Sequence, residues 1–104
     1  MEIEMKIHHV AINVKDIKKS VEWYVKNMHA TVEYEDDTWA MLGFGDTKLA
    51  LTIRSQHPRH IGFKINSFND FGEGVEIKLH RDGSYYLYLE DPDGNVLEKL
   101  YWDE

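Results

Sequence analysis

The chain contains an internal repeat, and this repeat limits the folds open to it more than any other feature. The stretch His8–Val14 is echoed by Arg59–Ile65 about half a chain later. In both stretches apolar side chains alternate with other residues, which is the period-2 pattern of a β-strand with one apolar face. His9 and His60 hold equivalent places in the two copies, and each is predicted to point away from its strand's apolar face. The repeat therefore indicates two similar modules joined in one chain.

The first module continues with a helix and three strands. Asp16 is a good N-cap, because its carboxylate can accept hydrogen bonds from free amides at a helix start, and the helix is predicted to run to about Met28. The apolar positions recur at helical spacing on one stripe, formed by Ile17, Val21, Tyr24, Val25 and Met28. The three predicted strands that follow are Ala30–Glu35, Trp39–Phe44 and Thr47–Ile53.

The second module follows the same plan with a shorter helix. Where a helix should follow His60–Ile65, the stretch Asn66–Gly74 has room for no more than a turn or two, and Phe68 and Phe71 are expected to cover the exposed apolar surface. Strands are predicted at Val75–Leu79, Tyr85–Glu90 and Val96–Trp102, separated by turns at Arg81–Gly83 and Asp91–Gly94. The pattern predicts an α+β fold of two βαβββ modules, at about 5–54 and 59–103, within a single domain spanning 1–104.

Composition narrows the possible partners. A chain of 104 residues corresponds to one domain. Twelve basic residues against nineteen acidic ones give a net charge of −7, which speaks against nonspecific nucleic-acid binding. No apolar run approaches the ~20 residues of a membrane helix, so no membrane partner is expected. The chain has no cysteine, which excludes thiol chemistry, and its start lacks the pattern of a secretion signal, so we predict a cytoplasmic protein.

Two histidines and a glutamate are the candidate metal ligands. His9 and His60 occupy equivalent strand positions, and Glu98 lies mid-strand among apolar residues, where an unpaired buried charge would be costly. Two imidazoles and one carboxylate from three strands fit a 2-His-1-carboxylate metal site with open positions. The competing interpretation is one exposed histidine, one hydrogen-bonded core histidine and a surface glutamate.

Further residues are candidates for contact with a substrate. Arg54, Arg59 and Lys64 cluster in an otherwise acidic chain, and they either hold a carboxylate or phosphate of a substrate or form a solvated rim. His80 precedes a hairpin turn and is expected to be exposed. Strand aromatics either line a pocket for a planar or apolar ligand or belong to the core or a dimer interface, and the candidates are Trp39, Tyr86 and Tyr88.

Three sequence signatures carry a family resemblance that spans nearly the whole chain. The chain resembles the glyoxalase / bleomycin-resistance / extradiol-dioxygenase superfamily, whose members are also called vicinal-oxygen-chelate proteins. The first signature is His9-Val10-Ala11-Ile12 with Val14, Asp16, Ser20 and Trp23-Tyr24; the second is His60-Ile61-Gly62-Phe63; the third is Glu90-Asp91-Pro92-Asp93-Gly94 followed by Glu98.

The resemblance implies a fold and a ligand set. It implies that the two modules curl a mixed sheet around a cup, with His9, His60 and Glu98 as ligands of a divalent metal. The fourth ligand position of the family falls on Ala50, which has no donor atom, so the site would keep open coordination positions. Glu98 would then also be the candidate catalytic base. The absence of sulfur ligands points to iron, manganese, nickel or zinc. His29 stands where the family usually has a helix-ending glycine.

The resemblance leaves three functions open. The first is a metal-dependent lyase, isomerase or dioxygenase in which the metal chelates a small oxygen-bearing substrate. The second is a metal-free protein that sequesters a small molecule, as drug-sequestering members do. The third is a small dimeric scaffold with a residual site. A homodimer is expected in each case, because a truncated second module buries little area alone and its sheet has open edges.

Overall fold

A computed structural model describes residues 5–80 and 82–103. The described part is built from the strands β1 (Met5–Asn13), β2 (Thr31–Glu35), β3 (Trp39–Phe44), β4 (Thr47–Thr52), β5 (His60–Ile65), β6 (Lys78–Leu79), β7 (Tyr85–Glu90) and β8 (Val96–Tyr101), the helix α1 (Ile17–Met28) and a single 3-10 turn (Phe68–Phe71). Strands β2, β3, β4 and β1 are neighbours in that order, as are β5, β8, β7 and β6, with parallel and antiparallel pairs in both sets, which confirms the predicted α+β class. Neither described helix has the length and apolar character needed to cross a membrane. Arg81 of one predicted turn lies outside the described residues.

The described residues form two compact units. The first unit comprises residues 9–60, and the second comprises residues 5–8 together with residues 61–103. Strand β1 contributes to both. The predicted division of the chain into modules at about 5–54 and 59–103 stays a prediction.

In the first unit, α1 covers one face of the sheet. The predicted N-cap is confirmed, because the carboxylate of Asp16 accepts a hydrogen bond from the Lys19 amide at 3.0 Å. The predicted helix end is also confirmed, because His29 adopts the left-handed conformation with φ of 57°. The buried core beneath the helix is formed by Ile17, Val21, Ala30, Ala40, Leu42 and Leu51.

The opposite face of this sheet carries the first candidate site residue. Ile12 of β1 and Val14, which follows β1, pack against the buried core beneath α1. Val10 was predicted on the same apolar face, but it is 40% exposed. Side chains alternate along a strand, so His9, Ala11 and Asn13 lie on the other face. Their register partners on β3 and β4 lie on the same face. We call this surface the histidine face, and it comprises His9, Ala11, Asn13, Trp39, Met41, Ala50 and Thr52.

The second unit has a shorter cover over its sheet. Phe71 of the 3-10 turn is buried with Ile65 and Leu87. Phe68 was expected to help cover this surface, but it is 44% exposed and contributes through ring contacts with Phe71, Tyr85 and Tyr101. The predicted strand Val75–Leu79 is wrong in its first three residues, and only Lys78–Leu79 pairs. Gly72 and Gly74 have positive φ, so the chain leaves the extended conformation just before this segment.

Candidate metal centre

The two predicted histidines meet within the first unit. The Nε2 atoms of His9 and His60 lie 3.1 Å apart, and the two rings are nearly perpendicular at 84°. Both residues are buried, with 5% and 7% of their surface exposed. Two nitrogens that bind one metal at about 2.1 Å, with an angle of about 90–109° between them, lie about 3.0–3.4 Å apart. The observed separation therefore suits a shared metal ion.

The protonation of His60 follows from its second hydrogen bond. Its Nδ1 lies 2.7 Å from the carbonyl oxygen of Pro58. A carbonyl oxygen only accepts hydrogen bonds, so Nδ1 carries a proton, and the tautomer with this proton has its lone pair on Nε2. This arrangement is typical of metal-binding histidines, whose other ring nitrogen donates to a carbonyl or carboxylate that orients the ring.

The loop that supplies this carbonyl is tied to the sheet. The side-chain amide of Asn13 donates to the hydroxyl of Thr52 at 2.8 Å and to the carbonyl of His57 at 3.1 Å. His57 immediately precedes Pro58. Asn13 therefore anchors the loop whose Pro58 carbonyl orients the ring of His60.

Ala50 occupies the predicted fourth ligand position. Ala11 lies beside Ala50 in the β1–β4 register, and Gly62 lies beside Glu98 in the β5–β8 register. Ala11 and Gly62 each follow the histidine of their own module by two residues, so Ala50 is the counterpart of Glu98. Ala50 is buried on the histidine face, and it offers no donor atom.

Glu98 lies in the second unit as a buried carboxylate with two hydrogen-bond donors. Only 2% of its surface is exposed. The Nε2 of His80 lies 3.0 Å from Oε2 of Glu98. The hydroxyl of Tyr88 also donates a hydrogen bond to the carboxylate of Glu98. Burial and the neighbouring negative charge of Glu98 raise the pKa of Tyr88, so the tyrosine stays protonated and remains a donor. These bonds offset the cost of burying the carboxylate.

The contact with His80 corrects a sequence expectation. His80 was expected to be exposed, but its side chain is only 25% exposed, and its ring stacks on Tyr86 at 3.6 Å with an interplanar angle of 11°. The alternation of Tyr86, Tyr88 and Glu90 along β7 was the sequence signal for the residues that surround Glu98. It places Tyr86 and Tyr88 on the face that carries Glu98, because Tyr88 pairs with Glu98 in register.

The predicted cationic residues separate into two groups. Arg54 and Arg59 lie exposed in the loop between β4 and β5. Lys64 is only 9% exposed, and its Nζ lies 4.7 Å from the ring centre of Trp102, so the solvated-rim interpretation is wrong for Lys64. A buried ammonium over an aromatic ring is stabilised by a cation–π interaction. Contact of these residues with a substrate stays a prediction.

Trp39 lies on the histidine face as a half-buried residue. Its ring stacks on that of Tyr34, with centroids 4.4 Å apart and planes 24° apart. In the second unit Tyr88 is also half-buried, and it bonds Glu98. A ligand-contacting role for Trp39 and Tyr88 stays a prediction, as does the sharing of one metal by His9, His60 and Glu98.

A sequence comparison with known proteins identifies relatives of this chain. A staphylococcal protein, metallothiol transferase FosB from Staphylococcus epidermidis, is 30% identical over 100 residues, covering 88% of this chain and 63% of the relative. The chain thus spans less than two thirds of the length of that relative.

Solved structures share the fold at low identity. Hypothetical protein BH1468 from Bacillus halodurans C-125 superposes with a TM-score of 0.77 at 18% identity, covering 98% of this chain and 97% of that one. A point variant of methylmalonyl-CoA epimerase from Streptomyces coelicolor, in complex with 2-nitronate-propionyl-CoA, gives 0.73 at 19% identity, covering 94% and 97%.

The family itself is established by a match along most of the chain. Residues 6–77 match the model of the Glyoxalase/Bleomycin resistance protein/Dioxygenase superfamily. This span includes two of the three sequence signatures and both histidines of the 3.1 Å pair. The chain therefore belongs to the glyoxalase/bleomycin resistance/dioxygenase superfamily, as the sequence signatures predicted.

Proposed function

We propose that the chain is a metal-dependent enzyme that acts on a small oxygen-bearing substrate, as a lyase, an isomerase or a dioxygenase. In this proposal His9, His60 and Glu98 hold one divalent ion: iron, manganese, nickel or zinc. The observation that carries it is the 3.1 Å approach of the two buried imidazole nitrogens, one of which has its lone pair fixed by the Pro58 carbonyl.

The donor set fits such an ion. Each of the three residues is buried and offers one ligand atom, two of them imidazole nitrogens and one a carboxylate oxygen. Nitrogen and oxygen donors without sulfur suit borderline and hard divalent ions. Buried histidines and a buried carboxylate are otherwise costly to maintain, so a bound cation gives a reason for their burial.

The chain's own residues have distinct tasks in this proposal. When bound, the ion would act as a Lewis acid that polarises oxygens of a chelating substrate. The methyl side chain of Ala50 leaves the fourth position free for such a substrate. Lys64 supplies a buried positive charge that can hold an acidic group. Glu98, predicted as the catalytic base, has two donors on its carboxylate and is better placed to act as a ligand.

The relatives support a metal without fixing the reaction. The staphylococcal relative, 30% identical to this chain, is named a metallothiol transferase, and that name supports a metal. An epimerase shares the fold at 19% identity. These two activities differ, and each belongs to the protein that carries the name.

A second candidate is metal-free sequestration of a small planar molecule. The stacked pair Tyr34 and Trp39 favours it, because stacked aromatic rings bind flat apolar ligands. Under this alternative the histidine pair is joined by an N–H···N hydrogen bond and needs no ion.

Metal analysis separates the two candidates. Protein purified without chelator and without an affinity-tag nickel column is expected to contain one divalent ion per chain. His60→Ala is expected to weaken the affinity at least a hundredfold, since removing one of three ligands leaves an incomplete site. His29→Asn is the matched control, because it removes an exposed histidine at a left-handed position that asparagine tolerates. Metal-free wild-type protein that takes up no added ion would contradict the proposal.

We also propose a homodimer. Strand β2 is exposed along its whole length and lies at one end of the sheet order, where its backbone groups can pair with another chain. Sedimentation is expected to give twice the 12.3 kDa mass of one chain at micromolar concentration. A 12.3 kDa species would contradict it.

A further inference from the structure

We propose that an exposed apolar surface of the second unit docks a basic amphipathic helix from another protein. We call this surface the open face, and it comprises Phe68, Leu79, Tyr85 and Leu89, each of which is more than a third exposed. Exposed apolar side chains that share one surface are typical of a site for a protein partner. The inference concerns a partner of the chain and does not depend on the proposed metal site.

The strand registers place these side chains on one face of the sheet. Tyr85 and Leu89 lie four residues apart on β7, so both point to the same face, which is opposite to the face of Glu98. Leu79 pairs with Tyr85 in the register of β6 and β7. The ring of Phe68 contacts that of Tyr85, with the centroids 5.4 Å apart. The open face is therefore the part of this surface that the short 3-10 turn leaves uncovered.

The first unit shows which element covers the corresponding surface. Leu42 and Leu89 are counterparts, because each pairs with the residue directly before Ala50 or Glu98. Leu42 is completely buried in the core beneath α1, whereas Leu89 is 36% exposed. The cover is a helix of 12 residues in the first unit and a turn of four in the second. A helix is thus the element that this kind of sheet face accepts and that the second unit lacks.

Acidic side chains border the open face. Asp70 belongs to the 3-10 turn, and Glu73 and Glu76 are exposed in the segment between this turn and β6. The exposed Asp103 accepts a hydrogen bond from the hydroxyl of Tyr101 at 2.7 Å, and the ring of Tyr101 in turn contacts Phe68. A helix that carries lysine or arginine beside its apolar stripe would complement these carboxylates while its stripe covers the leucines.

The same charges disfavour a second copy of this chain as the occupant. If two open faces packed against each other, the acidic borders of both copies would meet, and like charges within an interface are costly. The net charge of −7 adds to the repulsion between copies. An anionic membrane surface is disfavoured for the same reason. A cationic helix of another protein is the occupant that matches both the apolar surface and its charge.

Helix α1 supplies a probe with this chemistry. The sequence of residues 15–28 contains four lysines against two acidic residues, and its apolar stripe is the one that covers the sheet of the first unit. A synthetic peptide of this sequence, with blocked ends and a fluorescent label, is titrated with the full chain and followed by fluorescence anisotropy. We expect saturable binding in the micromolar range that weakens as the salt concentration rises.

Truncation of two leucines tests the apolar part of the open face. A variant with Leu79→Ser and Leu89→Ser is expected to raise the Kd of the peptide about 10–100-fold, because both side chains lose apolar contact with the helix. Met28→Ser is the matched control, since it truncates a similarly exposed apolar side chain in the first unit. It should leave the Kd unchanged.

Charge reversal on both partners tests the acidic border. A variant with Glu73→Lys and Glu76→Lys is expected to weaken binding of the peptide about 3–10-fold. The same variant should bind a peptide that carries Lys18→Glu and Lys26→Glu more tightly than wild-type protein does. Equal affinity of wild-type and charge-reversed protein for both peptides would overturn the proposal.

The remaining outcomes are equally decisive. Absence of saturable binding to wild-type protein, or an unchanged Kd in the leucine variant, would overturn the proposal. Sedimentation of the protein without peptide tests the competing occupant: a smaller assembly for the leucine variant than for wild type would show that a second copy covers the open face, and the proposal would be wrong. If thermal melts show that the leucine variant does not fold, the charge-reversed pair decides.

Discussion

The two units differ in how the sheet contacts the segment that covers it, and the difference lies at Leu51 in the first unit and Lys99 in the second. Each position directly follows one of the counterparts Ala50 and Glu98. In the first unit a helix of 12 residues covers the sheet, and Leu51 is completely buried beneath it. In the second unit the cover is a 3-10 turn of four residues, and the Nζ of Lys99 donates to the carbonyls of Asp70, at 2.9 Å, and Phe71, at 3.5 Å.

This difference teaches how a fold accepts a shortened helix. The last carbonyls of any helix lack partners within it and need donors from elsewhere. A long helix offers an apolar stripe for a leucine, whereas a single turn offers mostly free carbonyls, which an ammonium satisfies. Lys99 therefore replaces part of the missing helix with hydrogen bonds rather than with apolar contact.

The largest effect is expected from truncating the leucine of this comparison. Leu51→Ala is expected to lower the free energy of unfolding by about 2–5 kcal/mol, because Leu51 is fully buried and its truncation leaves a cavity in the core. Urea denaturation followed by circular dichroism measures the change.

The counterpart variant in the second unit is Lys99→Leu. It is expected to destabilise the protein by only about 1 kcal/mol, since apolar contact offsets part of the lost hydrogen bonds. A stabilising Lys99→Leu would show that apolar packing, and not the lysine, holds the 3-10 turn.

An effect on metal affinity is expected from giving the first unit the carboxylate of the second. Ala50→Glu is expected to tighten Co²⁺ binding about tenfold, which corresponds to about 1.4 kcal/mol, since a ligand already held by the protein is recruited without the entropy cost of a free one. The metal-free variant should melt at a lower temperature, because the new charge is buried. Ala50→Gln, of similar size and neutral, should gain much less. A lower melting temperature without tighter Co²⁺ binding would mean that position 50 does not face the proposed metal site.

The smallest effect concerns the two turn aspartates and depends on pH. Burial raises the pKa of Asp36, but hydrogen bonds from Tyr34 and Thr38 outweigh it and hold the pKa well below its ordinary value. A lowered folded-state pKa contributes stability above the unfolded-state pKa, and this contribution is lost as the pH falls through the folded-state value.

Thermal melts of Asp36→Asn should therefore differ most from wild type near pH 7. The difference should shrink as the pH falls below about 4. The pKa of Asp82 is also lowered, since bonds from Ser84 outweigh burial there, so Asp82→Asn should show the same trend. A difference that stays constant from pH 7 to pH 2 would contradict the role of these charges.

Much of the fold was predictable because alternation and capping are local signals. The strands Trp39–Phe44, His60–Ile65 and Tyr85–Glu90 were predicted with their observed bounds, and Asp16 marked the helix start. The strand predicted at Val75–Leu79 was too long, because the positive φ of Gly74 interrupts a stretch that alternates like a strand, and only Lys78–Leu79 forms β6. Local patterns carry no information about such backbone geometry.

The candidate ligands of the site could be predicted from the sequence, but the residues that contact them could not. His9 and His60 were found through the repeat, and the family resemblance placed the fourth ligand position at Ala50, which the strand register puts beside Ala11. His80 was missed because its contact is with a residue eighteen positions later, and the alternation along β7 indicates only that Tyr86 and Tyr88 share the face of Glu98. The burial of Lys64 was missed for the same reason, since Trp102 is distant in sequence.

The anchoring of the central loop has a consequence for exchange of segments between subunits. Asn13 holds the chain at His57 through a hydrogen bond, and His9 and His60 contact each other within the unit of residues 9–60. A dimer that exchanged the chain beyond residue 60 would therefore keep each histidine pair within one chain. In the proposed metal site Glu98 alone would then come from the other subunit, and a mixture of His60→Ala and Glu98→Ala chains would partly restore metal binding.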